Sequence, residues 1–153
     1  MRRLIMVAKA GNWPDSDDVD SVTLGFDDRH RRRLRLTTEA GESVLLDLTK
    51  PQPLDDGDGL AIENNEGWIR INAAPEEVLE VKGQDLAHTI RLAWNLGNRH
   101  LPIQILDEGK LRLRYDHVIE EMLTSLGVTA AREKAPFVPE SGAFNRQNRR
   151  FQK

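Results

Sequence analysis

"EEVLEVKGQDLAHTIRLAWNLGNRH", residues 76–100, is the stretch in which the hydrophobic period changes. Its first part, "EEVLEVKG", reads as a short strand ending at Gly83. Beyond it Leu86, Ile90, Ala93, Trp94 and Gly97 fall at i, i+4, i+7, i+8 and i+11, which is one face of a helix. Leu92 and Leu96 form a second apolar ridge beside it, with His88 one turn earlier, so the helix reads as covered on more than one side. The helical pattern is expected to stop at Gly97. His100 follows three residues later, ahead of the restraining Leu101-Pro102 exit.

Downstream, "PIQIL" and "KLRLRY" read as strands around a turn at Asp107–Gly109. In "DHVIEEMLTSLG", Val118, Ile119, Met122, Leu123 and Leu126 make a helical stripe. Asp116 suits the N-cap of that helix and Gly127 its C′ position. A last strand, "VTAARE", completes the order β-α-β-β-α-β of a ferredoxin-like domain.

Upstream the period is two. In "RLRLTTEAGESVLLDL", Leu34 and Leu36 alternate with arginines, and Val44, Leu46 and Leu48 alternate after a turn at Glu39–Glu42. A second hairpin is "LAIENNEGWIRI", and residues 3–9 and 21–26 supply two more strands. Short strands separated by turn signals predict a small β-barrel or sandwich. The expected fold class is therefore α+β in two domains. They are a β-rich domain at 1–73 and a ferredoxin-like domain at 74–143, followed by a flexible basic tail at 144–153 that carries Arg146, Arg149, Arg150 and Lys153.

The 153 residues carry a net charge of −3, which disfavours a globally basic nucleic-acid binder. No cysteine is present, which excludes disulfides, thiolate metal sites and thiol nucleophiles. Arg2 and Arg3 precede an apolar run too short for a signal peptide, and no segment approaches a membrane span, so the expectation is cytoplasmic, with no membrane partner. Phosphate loops, nucleophile elbows, paired-histidine zinc motifs and dinucleotide fingerprints are all missing. "DDGDG" at Asp55–Gly59 lacks the ligand spacing of a calcium loop and reads as a turn. "RHRRRLR" at Arg29–Arg35 reads as a solvated strand edge, with His30 a surface imidazole; a nucleic-acid contact there is the alternative.

His88, His100 and His117 remain as metal candidates, and imidazole ligands suit nickel, copper and zinc. His88 lies in line with Leu92 and Leu96 and is read as a packing or surface residue. His117 opens the second helix, where the positive dipole end disfavours imidazolium, and Asp116 beside it is placed to orient the ring or bind metal itself. One histidine holds no late divalent ion tightly. A twofold dimer with His100 near its axis supplies two imidazoles and an open, exchangeable site.

"LAWNLGNRHLPIQI" followed by "YDHVIEEMLTSLG" resembles the urease accessory protein E family, the nickel metallochaperones of urease maturation. "DDRHRRRLRLTTEAGESVLLDL", "DGDGL" and "GWIRINAAPEEVLEVKG" extend the likeness, which covers roughly residues 3–142. The resemblance implies an N-terminal β-domain likened to a chaperone peptide-binding domain and a C-terminal ferredoxin-like metal-binding domain. It also implies a homodimer through the C-terminal domains, with His100 of each protomer as the interfacial nickel ligand and His117 at a peripheral metal site. Members of the family with that peripheral site have a histidine one or two positions earlier, where this chain has Asp116 and Tyr115. Many also carry a late histidine, and this chain has none after His117.

The function so implied is not enzymatic: the protein receives Ni(II) and delivers it to apo-urease through an accessory GTPase, with zinc or copper binding in vitro. No nucleic-acid partner is expected. A metal-independent protein-interaction module, or a nucleic-acid-binding module, is the alternative.

Overall fold

The computed structural model describes residues 1–141; the basic tail expected at 144–153 lies outside the described residues. Two compact units divide at Ala74 and Pro75. No helix among the described residues is long and apolar enough to cross a membrane.

The first unit holds β1 (Arg2–Ala8), β2 (Ser21–Leu24), β3 (Arg33–Thr37), β4 (Ser43–Asp47), β5 (Gly59–Ile62) and β6 (Trp68–Ala73). They form one nearly closed six-stranded sheet in the order β2-β6-β5-β1-β4-β3. Both expected hairpins are present, with Leu34 opposite Leu46, Leu36 opposite Val44, and Leu60 opposite Ile69. The two-residue alternation turns Leu4, Val44, Leu46, Leu60, Ile69 and Ile71 into a buried core. Two pairings, β1 with β4 and β2 with β6, are parallel; local alternation carries no information on such long-range neighbours.

Two side chains of the arginine-rich run differ from the solvated edge expected of it. Arg29 is fully buried, donating from Nε to the Leu24 carbonyl and from Nη1 to that of Leu54, each at 3.2 Å. His30 is half-buried: Nδ1–H donates to the Phe26 carbonyl at 2.7 Å, and the ring packs on Phe26. A short 3-10 turn at Asp28–His30 interrupts the strand period and turns these two residues inward. "DDGDG" is a turn, as read. Asp58 is buried, and its carboxylate accepts from the Ala10 and Asp55 amides and from Lys9, while Asp56 accepts from the Ala73 amide.

Two carboxylates give this unit an acid-sensitive edge. The Arg2 guanidinium donates to both oxygens of Glu42, at 2.7 and 2.6 Å, and holds that carboxyl below its ordinary range. Burial pushes Asp20 up, but hydrogen bonds from Thr38, Ser21 and Ala40 outweigh it and leave the carboxyl lowered. A folded-state pKa below the unfolded one contributes stability above the unfolded value, which is lost as pH falls through the folded value. Chemical denaturation of the chain should therefore lose stability progressively below about pH 4.5. In Glu42→Gln that acid limb should be flatter; an unchanged limb would remove Glu42 from the account.

The second unit contains β7 (Pro75–Val81), α1 (Leu86–Asn98), β8 (Gln104–Ile105), β9 (Leu111–Arg114), α2 (His117–Ser125) and β10 (Ala131–Pro136). Its sheet order, β10-β7-β9-β8, is the ferredoxin-like arrangement, with every pair antiparallel. Leu79, Val81, Leu111 and Leu113 of the sheet pack with Leu92, Leu96 and Leu123 of the helices. β8 is only two residues long: Pro102 offers no amide to a ladder, and the Leu106 amide already closes the turn by donating to the Lys110 carbonyl at 2.8 Å.

The helical period of α1 is as read, but its buried ridge is Leu92 and Leu96. Leu86, Ile90 and Trp94, the face that periodicity picked out first, are 77%, 59% and 66% exposed. Both ridges are apolar in sequence, and only the packing of α1 on this sheet decides between them.

Candidate metal centre

Asp85 starts α1, its side chain accepting the His88 amide at 2.8 Å. The helix then runs through Gly97 instead of stopping there. Its end is a Schellman motif: the His100 amide donates to the Gly97 carbonyl at 2.9 Å and the Leu101 amide to that of Leu96 at 3.2 Å. The residue that must be left-handed in this motif is His100, with φ 60°. Helix α2 ends in the same way: the Gly127 amide donates to Thr124 and the Val128 amide to Leu123, but there the left-handed residue is glycine, with φ 85°.

The contrast bears on function. A side chain with a Cβ in this conformation costs about 1 kcal/mol, and glycine relieves it. His100 nevertheless stands there, exposed, and the cap fixes where its Cα–Cβ bond points. His100→Gly should therefore stabilise the second unit by about 1 kcal/mol in denaturant melts. Equal or lower stability would show that the imidazole itself makes up for the backbone cost.

His100 lines a cleft of about 500 Å³ together with Glu76, Glu77, Pro102, Tyr115 and Asp116. Tyr115 is held by packing in the core and by the Arg132 guanidinium, 3.9 Å above its ring centroid. Asp116 also caps α2: its Oδ1 accepts the amides of Val118 at 2.8 Å and Ile119 at 3.1 Å. Asp116 is thus the N-cap that the sequence suggested, and the carboxylate that lies beside the His117 ring is that of Glu121.

His117 sits on the first turn of α2, 74% exposed at its side chain, and does not line the cleft. Its Nε2 lies 3.2 Å from Glu121 Oε1, one turn on. Sequence reading missed Glu121, although the i, i+4 spacing is the signal that finds it. Together they form an imidazole and carboxylate pair on an open surface, able to supply two ligands to a loosely held ion.

His88 is engaged at both ring nitrogens. The Gln84 amide donates to Nδ1 at 3.0 Å and Nε2 lies 2.9 Å from the Leu126 carbonyl, so the tautomer with the proton on Nε2 serves both contacts. This is the packing role expected of it. Among the described residues no group of three or more His, Asp or Glu side chains is placed to hold a metal ion.

Comparison with known proteins agrees with this division of the chain. Residues 4–74 match the model of the UreE urease accessory protein N-terminal domain, and residues 76–152 that of its C-terminal domain. "Urease accessory protein UreE" of Rhodopseudomonas palustris strain HaA2 is 50% identical over 126 residues, 82% of this chain. The chain spans 58% of that relative's length. The protein of the same name from Bradyrhizobium strain BTAi1 is 45% identical over 94% of this chain and 68% of its own. That from Ruegeria pomeroyi is 43% identical over 90% of this chain and 88% of its own. With both units matched in order and relatives aligned over most of their length, the chain belongs to the UreE urease accessory protein family.

Proposed function

We propose that this chain acts in urease maturation as a nickel metallochaperone, a carrier and not a catalyst. In this reading it receives Ni(II) and hands it, through a GTP-hydrolysing accessory protein, to apo-urease in the cytoplasm. What supports it is an exposed imidazole at a fixed backbone position, directly beyond an unpartnered apolar helix face. Leu86, Ile90 and Trp94 suit the contact face of a homodimer, and Gly97 on the same side leaves room for close approach of a second helix. His100 of each protomer then meets its twin across the axis, giving two nitrogen ligands and open positions for water or a receiving protein.

Ligand release follows from the same chemistry. Two imidazoles without thiolate or a closed carboxylate set bind nickel reversibly, and protons compete with the metal, so acid favours release. His117 with Glu121 is the weaker, peripheral site. Calorimetric titration with Ni(II), with particle mass followed by light scattering, tests the reading: about one tightly bound ion per dimer is expected. Absence of any nickel response would favour a metal-independent protein-interaction module instead. Zinc and copper should compete for the site in vitro, since intrinsic affinities do not favour nickel over copper.

A further inference from the structure

The outer face of β1, β4 and β3 holds more positive charge than its own carboxylates neutralise. Strand registers set Arg3 beside Leu45 and Leu45 beside Arg35, with Asp47 opposite Arg33 in the next row. Asp47 accepts from Arg3 at 2.9 Å and from Arg33 at 3.2 Å, so one carboxylate serves two guanidiniums. Arg3 also reaches Glu63, at 3.4 Å. Arg35, exposed on the same face, has no carboxylate partner among the described residues.

Beside these cations the sheet exposes apolar side chains that ordinary alternation would not. The pairing of β1 with β5 slips between Leu4 and Met6, and both Ile5 and Met6 then face outward, 40% and 54% exposed. Bulges of this kind re-aim side chains, and here the result is an aliphatic pair next to spare guanidinium donors. Among the described residues β3 is also an edge strand, with β4 its one neighbour in the sheet.

We propose that this face docks an extended acidic segment of a partner protein. Arg33 and Arg35, two residues apart on a strand, stand about 7 Å from each other along it, the spacing of alternate residues in an extended peptide. Forked guanidiniums recognise carboxylates in two-point contacts. Beside them, toward β1, Leu45, Ile5 and Met6 receive an aliphatic side chain of the segment. A nucleic acid fits less well, because the exposed apolar residues are aliphatic and offer no ring on which a base stacks. The inference rests on the reading of this chain as an accessory protein that docks others, and gives that docking its chemistry.

The test uses the full chain and a labelled peptide alternating glutamate and valine, followed by fluorescence anisotropy. A lysine-valine peptide and a single-stranded oligonucleotide of matched charge serve as competitors. The acidic peptide should bind, weaken with salt, and lose about tenfold or more in affinity to Arg35→Glu. Arg35→Gln should lose less, and Ile5→Ser should remove the part of binding that survives high salt. Arg35 has no ion pair to break among the described residues, so both of its variants should keep the parental circular dichroism. No peptide binding, unchanged affinity in both Arg35 variants, or equal binding of the oligonucleotide would overturn the proposal. Nickel titrations of the same samples keep the two readings apart. A chain that binds nickel but not the peptide loses only this docking surface, and one that binds the peptide but not nickel loses only the carrier role.

Discussion

His100→Ala is expected to lose at least about 100-fold in nickel affinity while keeping the parental circular dichroism and melting temperature. The two parts of that result have separate causes. In a twofold site one substitution removes two ligands at once, so an ion left with water alone is not retained. Stability is little changed because alanine in the left-handed cap carries the same Cβ penalty as histidine, and the ring is exposed and outside the core. The companion His100→Gly separates the roles further, since it loses the metal and gains stability together. His117→Ala, which removes one half of an exposed imidazole and carboxylate pair, should change nickel uptake much less. Parental stoichiometry and affinity in His100→Ala, measured by calorimetry, would end the assignment of this residue. An equal loss in His117→Ala would mean that the two histidines are ranked the wrong way round.

Trp94→Glu should convert the proposed dimer to a folded monomer and, through that change alone, release nickel with His100 intact. Trp94 contributes nothing to the core of its own unit, so its replacement leaves Leu92, Leu96 and Leu123 packed as before. Across a dimer interface a tryptophan is the side chain whose truncation costs most, and a buried glutamate adds the cost of desolvating a charge. A rise of at least about 100-fold in the dimer dissociation constant is the expected scale. Light scattering reports the mass and calorimetry the bound ion. A Trp94→Glu protein that remains dimeric would place the interface elsewhere. One that becomes monomeric yet holds nickel normally would show that a single protomer provides the site.

Periodicity told strands from helices correctly because it is a local property. Alternation at Leu34, Leu36, Val44 and Leu46 needs only a half-buried sheet to be meaningful, and the spacing in α1 and α2 needs only a helix. The cap at Asp116 and the glycine at Gly127 were equally legible, being chemistry within a few residues of the chain; the cap at Asp85 is of the same kind and was passed over. Arg29 was not: in a run of arginines nothing local marks the one that the fold will bury against the Leu24 and Leu54 carbonyls. Nor was the slip at Ile5 and Met6, which exists only because β1 pairs with β5 in a particular register.

By itself, the sequence determined the class of fold, the order of its elements and the residue types available for metal, since composition and spacing survive in any arrangement of the chain. Tertiary structure alone decided which ridge of α1 is buried and which is left open, because Leu92 with Leu96 and Ile90 with Trp94 are equally apolar on a helix considered alone. It also decided that the left-handed cap falls on His100 and not on Gly97: the helix continues as long as Leu96 has a core to enter, and the turn comes where that core ends.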